Sequence, residues 1–92
     1  MTEKAVLVRV TGRVTGVCFR FCALDRSQSL PSLSGYVRNV GHGEVEVFVQ
    51  GNADEVDAMV TWLGHGPPSA RVDAIAVNEA ARDPAGQGFS IR

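Results

Sequence analysis

Between residues 4 and 11, Val6, Val8 and Val10 alternate with Ala5, Leu7 and Arg9. A period of two rich in valine predicts a strand, and apolar residues in both phases place it in the middle of a sheet. From residue 19 to about residue 30 the spacing becomes helical, with Phe19, Ala23, Ser27 and Leu30 on one side. That stripe is thin, and Ser27, Gln28 and Ser29 weaken it. Pro31 ends the helix, because its ring disfavours helical geometry in the residue before it. Residues 33–40 and 44–50 return to strand, joined by Gly41-His42-Gly43 as a hairpin. In the second of these strands Val45, Val47 and Val49 share one face, and Glu44, Glu46, Phe48 and Gln50 the other.

A second helix starts at Asn52, which can cap it, with Asp54 at its positive end and Glu55 placed to close a capping box. Ala53, Val56, Met59, Val60 and Leu63 recur at helical spacing, and Gly64 is placed to stop the helix. After the loop Gly66-Pro67-Pro68-Ser69, residues 70–78 read as a strand, 79–88 as a connection and 88–92 as a short edge strand. The order β-α-β-β-α-β plus a short strand predicts an α+β fold. It is a ferredoxin-like sandwich, an antiparallel sheet with two helices on one face.

Ninety-two residues are read as one domain, 1–92, and a hydrophobic content of 45% is ample for its core. The net charge of −1 argues against a broad electrostatic hold on nucleic acid, which normally needs a basic excess. No apolar run approaches the roughly 20 residues that cross a membrane. Met1-Thr2-Glu3-Lys4 lacks the layout of a signal peptide, so a cytoplasmic location is expected. Cys18 and Cys22 are four apart and match no zinc or redox spacing. A metal site would need two more ligands, and His42 and His65 sit beside glycines in predicted turns. Neither a metal nor a disulfide is expected.

The chemistry concentrates in Gly12-Arg13-Val14-Thr15-Gly16-Val17-Cys18-Phe19-Arg20, a glycine-bounded turn between the first strand and the first helix. Such a turn aims backbone N–H groups and the positive end of the helix at one point, and Arg20 adds a planar fork of donors suited to phosphate. Plainer roles stay open at each position. Arg20 can be a surface cation paired with a carboxylate, Gly12 and Gly16 can serve the backbone alone, and Cys18 can be a small buried filler. Asn39, in Gly35-Tyr36-Val37-Arg38-Asn39, can fix a strand end, while Arg38 points to the opposite face into solvent. Trp62 and Phe48 read as packing residues.

Together these stretches resemble a known family. The first is similar to the acylphosphatase signature G-R-V-Q-G-V-x-F-R, and Gly35-Tyr36-Val37-Arg38-Asn39 followed by Gly43-Glu44-Val45-Glu46 to the second, G-W-V-R/K-N with D-G-x-V-E after it. The likeness extends through Val49-Gln50-Gly51 and Pro68-Ser69-Ala70-Arg71-Val72 to Phe89-Ser90-Ile91-Arg92, all in the family's order. It implies hydrolysis of an acyl phosphate, the mixed anhydride of a carboxylic and a phosphoric acid, without cofactor or metal. It also implies that backbone N–H groups of Thr15, Gly16, Val17, Cys18 and Phe19 bind the phosphate, that Arg20 grips it, and that Asn39 positions the attacking water.

Four departures stand out: Thr15 replaces the usual glutamine, Tyr36 the usual tryptophan, His42 stands near the usual aspartate, and Leu30-Pro31-Ser32-Leu33-Ser34-Gly35 is one residue longer than usual. The residue chemistry agrees with the resemblance. A carboxylate leaves readily, so positioning and charge neutralisation suffice, and neither histidine lies in the motifs. The expected partner is a small acyl phosphate, and the expected state a cytoplasmic monomer bound to neither nucleic acid nor membrane. An RNA-binding module of the same fold would show aromatic strands and a basic face, where this chain has valines with Glu44 and Glu46. An acylphosphatase-like domain of a larger carbamoyl-transfer protein is the other alternative, and a chain of this length is expected to be the free enzyme.

Overall fold

The computed structural model describes residues 2–16 and 18–92. The elements follow the predicted order: β1 (Glu3–Arg13), α1 (Phe19–Gln28), β2 (Ser34–Asn39), β3 (Glu44–Asn52), α2 (Ala53–Leu63), β4 (Arg71–Glu79) and β5 (Phe89–Ile91). They form one sheet in the order β4-β1-β3-β2-β5. β1 lies between β3 and β4, antiparallel to both, and β2 is antiparallel to β3. This is the ferredoxin-like sandwich expected from the alternation. β5 adds to the β2 edge in parallel, which makes the complete sheet mixed.

Register explains the core. Val6, Val8 and Val10 of β1 face Val49, Val47 and Val45 of β3, and Val37 of β2 faces Val47 in turn. All seven are buried, and so are Phe19 and Ala23 of α1 and Val56, Met59 and Leu63 of α2, which join them in one cluster. Phe19 also meets Trp62 at a tilt, with ring centroids 5.6 Å apart. Such a pair adds about 0.5–1.5 kcal/mol beyond its buried area. It ties the first turn of α1 to the last turn of α2.

α1 stops at Gln28, short of the residue near 30 expected from the stripe. The serines that weaken the stripe are the cause. Ser27 Oγ donates to the Leu24 carbonyl at 2.6 Å and Ser29 Oγ to the Arg26 carbonyl at 2.8 Å, giving the backbone an alternative to further helix. The capping box is also built differently from expectation. The Asn52 side chain does accept from the Asp54 N–H, at 2.9 Å. The Glu55 carboxylate, however, takes both the N–H and the hydroxyl of Ser32, and Ser32 Oγ takes the Asn52 N–H at 3.0 Å. The box closes through Ser32, so the lengthened stretch after α1 is pinned to the start of α2.

On the helix-free face, the buried Glu46 carboxylate accepts from Tyr36 Oη and Arg38 Nε, both at 2.8 Å, and pairs with Arg9 Nη2 at 3.1 Å. Arg9 also pairs with Glu44. Arg38 was expected to be merely solvated; it is exposed but held by this ion pair. The hydrogen bond from Arg38 is the main reason that Glu46 titrates below the usual carboxylate range, against the opposing effect of burial. Tyr36 is pushed up, first by burial and then by its hydrogen bond to Glu46. Because successive residues of a strand face opposite ways, fixing Arg38 here turns Asn39 toward the helices.

Candidate active site

The two motifs meet because the ends of β1 and of the β2–β3 hairpin are joined. The Gly12 N–H donates to the Gly43 carbonyl at 3.0 Å, and Thr15 Oγ1 accepts from the Gly43 N–H at 3.4 Å. The register of β1 against β4 shifts between Thr11 and Gly12. At φ 138° Gly12 lets β4 come close: a Cβ there would lie 2.2 Å from the Arg71 carbonyl oxygen. Only glycine fits this crossing.

Past β1 the chain turns through two left-handed residues, Gly16 at φ 72° and Cys18 at φ 62°, ψ 22°. Gly16 has open space around it, so its glycine is needed for conformation and not for room. Cys18 has the sole positive φ outside glycine among the described residues, and it starts α1 without a side-chain cap. It is exposed, not the buried filler that composition suggests. Left-handed residues in a turn gather backbone N–H groups into a concavity that suits anions. Among the described residues, the N–H groups of Gly16, Cys18 and Phe19 donate to no backbone carbonyl. Val17 lies outside the described residues.

Arg20 and Asn39 open onto the same cavity of about 240 Å³, with Val14, Gly16, Cys18, Phe19 and Phe21. Val14 and Phe19 are buried and form its floor, whereas Gly16, Cys18, Phe21 and Asn39 are exposed at its rim. Arg20 is half-buried, with no ion pair or hydrogen bond among the described residues. Lys4, Arg9, Arg38, Arg71 and Arg82 all have carboxylate partners. The carboxylate-paired role considered for Arg20 is therefore not the one it has. Asn39 ends β2 and its side chain takes part in no hydrogen bond among the described residues, so it does not fix a turn. A guanidinium and an amide without protein partners, beside unpaired N–H groups, form a site that can bind an oxyanion and a water.

Thr15 does not line the cavity; its hydroxyl is used on Gly43. Phe21 is the residue that sequence reasoning missed. Its signal is its phase, off the stripe of Phe19, Ala23 and Ser27 that faces the core. Two larger cavities, about 390 and 500 Å³, lie around the 80–88 connection and contain neither Arg20 nor Asn39. There the buried Gln50 clasps Asp83, with Nε2 donating to its carbonyl and Oε1 accepting from its N–H, each at 2.9 Å.

The acylphosphatase family model matches residues 6–91. An acylphosphatase of Shewanella amazonensis is 43% identical over 88 residues, which cover 96% of each chain. Among solved structures, an acylphosphatase from Coxiella burnetii superposes with a TM-score of 0.87 at 34% identity, over 98% of this chain and 93% of that one. The acylphosphatase from Bacillus subtilis superposes with a TM-score of 0.88 at 28% identity, over 99% of both. With the family model matched over residues 6–91 and a relative 43% identical over nearly the full length of both chains, the chain belongs to the acylphosphatase family of enzymes.

Proposed function

We propose that residues 1–92 form one catalytic unit that hydrolyses small acyl phosphates, with the phosphoryl group held by N–H groups of the loop from Gly16 to Phe19 and by Arg20, while Thr15 supports the loop through Gly43. Asn39 orients the attacking water. The observation that carries this reading is the shared cavity of Arg20 and Asn39, both without protein partners among the described residues. The water oxygen bonds to phosphorus roughly in line with the departing acyl oxygen, and the P–O bond breaks with its electron pair going to the carboxylate. From an acyl phosphate dianion and water the products are a carboxylate and dihydrogen phosphate. An amide is too weak a base to deprotonate water, so the second water proton passes to a phosphoryl oxygen. The N–H groups and Arg20 stabilise charge on the equatorial oxygens.

No metal is assigned a role. Among the described residues, no three His, Cys, Asp or Glu side chains converge. As a monomer the protein would leave the β4 edge in water. Ile75 and Val77 are partly exposed there, and the Arg71–Asp73 pair and Glu79 blunt the edge against further pairing. A cytoplasmic location fits an acyl phosphate substrate. The test is release of orthophosphate from benzoyl phosphate with excess chelator present. Turnover that persists supports the reading; no turnover, or turnover restored only by added Mg²⁺ or Zn²⁺, overturns it.

A further inference from the structure

We infer that Phe21 is a platform for the acyl group and selects acyl phosphates with a flat, apolar acyl substituent over acetyl phosphate. The inference rests on the hydrolase reading above and adds to it the substrate class.

Phe21 is the third residue of α1, one position past Arg20, and 63% of it is exposed. That is more than any other large apolar side chain of the described residues, the next being Val77 at 46%. Its ring has no aromatic partner among the described residues, unlike Phe19 with Trp62 and Tyr36 with Phe48. A phenylalanine left in water costs apolar hydration without contributing to the core. Yet it is not on a bare surface, because it borders the cavity of Arg20 and Asn39.

The cavity fixes what meets the ring. At about 240 Å³ it is below the roughly 300 Å³ at which pockets begin to enclose drug-sized ligands. Val14 and Phe19, each 1% exposed, close its floor. The floor is closed and the cavity opens at its rim, so when Arg20 and the loop hold the phosphoryl group the acyl part extends toward the exposed residues there. Gly16 and Cys18 offer little surface there and Asn39 is polar. Among the described residues, Phe21 is the one large apolar group on the rim. A flat acyl substituent can stack on its ring or meet it edge-on, whereas a methyl group covers little of it.

The test is a comparison of kcat/KM for benzoyl and acetyl phosphate in the native protein, Phe21→Ala and Phe21→Trp. The two leaving carboxylates are similar in basicity, so the ratio of the two values reports acyl contact more than intrinsic reactivity. Alanine is a good helix former and the site is exposed, so Phe21→Ala is expected to fold. The benzoyl-to-acetyl ratio should fall by about threefold to tenfold in Phe21→Ala, mostly through a raised KM for benzoyl phosphate, and be kept in Phe21→Trp. An unchanged ratio, or equal losses on both substrates, overturns the inference while leaving the hydrolase reading intact. Failure of the native protein to hydrolyse either substrate removes both. Tighter binding of benzylphosphonate than of methylphosphonate, lost in Phe21→Ala, gives the same answer without turnover, and equal binding of the two overturns the inference.

Discussion

Arg20 and Asn39 open onto one cavity although one begins a helix and the other ends a strand. What joins them is Gly43, which follows Asn39 in the hairpin: its carbonyl accepts from the Gly12 N–H and its N–H donates to the Thr15 hydroxyl, both from the Arg20 side. Their charges differ, so their roles can be separated by experiment.

Arg20→Ala should lower kcat/KM by about 10²- to 10³-fold, the scale for losing one donor to a reacting oxyanion. It should also weaken competitive inhibition by orthophosphate, because the phosphate contact proposed for the guanidinium would form before any reaction. Arg20→Lys should recover little, since an ammonium lacks the planar fork. Steady-state kinetics with phosphate as inhibitor checks both. Unaltered phosphate inhibition in a folded Arg20→Ala would remove Arg20 from the phosphate site.

Asn39→Ala should cut kcat by about 10²-fold or more while phosphate inhibition changes little, because water positioning matters in the reactive complex and not in the phosphate complex. With its side chain exposed and free of hydrogen bonds among the described residues, the substitution should leave the melting temperature nearly unchanged. Near-native kcat in this variant would end the water-positioning role.

The two left-handed residues of the loop should respond oppositely. Cys18→Gly relieves a Cβ held at φ 62°, offset in part by the freer unfolded chain, and should be neutral to stabilising by about 1 kcal/mol with turnover kept within about threefold. Gly16→Ala puts a Cβ at φ 72° and should destabilise by about 1–2 kcal/mol, with turnover falling as the loop shifts. Urea denaturation together with benzoyl phosphate turnover distinguishes the two. Abolished turnover in folded Cys18→Gly would show that the thiol takes part in the chemistry.

Periodicity made the order of elements legible, since valines at a period of two and the α2 stripe at helical spacing leave few ways to bury both. The limits of α1 were not, because Ser27 and Ser29 act through hydrogen bonds that periodicity does not register. Nor was the relay from Asn52 through Ser32 to Glu55, which needs two segments distant in sequence to touch. Arg20 and Asn39 could be singled out by resemblance, but their lack of partners depends on where every carboxylate lands. Cys18 was misread because it precedes α1 in a left-handed conformation that periodicity does not register. Phe21 was missed although the stripe of Phe19, Ala23 and Ser27 already sets it off the core-facing side. The Glu46 cluster required register, which sets Arg9 and Arg38 on either side of Glu46.

That cluster predicts a two-sided dependence of stability on pH. Glu46 is held below its ordinary value chiefly by the hydrogen bond from Arg38, with Tyr36 adding to it. A carboxyl whose pKa is lower in the folded than in the unfolded protein contributes stability above the unfolded value of about 4.3, and loses it as pH falls through the folded value. Tyr36 has the opposite sign: raised by burial and by Glu46, it contributes stability fully below about pH 10 and loses it as pH rises through its folded value. Glu46→Gln keeps the size of the side chain but removes the charge from a position 5% exposed. It should lower stability by about 1–2 kcal/mol at pH 7. At pH 3, below the unfolded value, the unfolded carboxyl is largely protonated, so part of this contribution is lost and the difference should shrink. Urea denaturation of both proteins at pH 7 and pH 3 measures it. A difference of the same size at both pH values would mean that the ionisation of Glu46 contributes nothing, and that the loss in Glu46→Gln comes from replacing an acceptor oxygen that Tyr36 and Arg38 use by an amide donor.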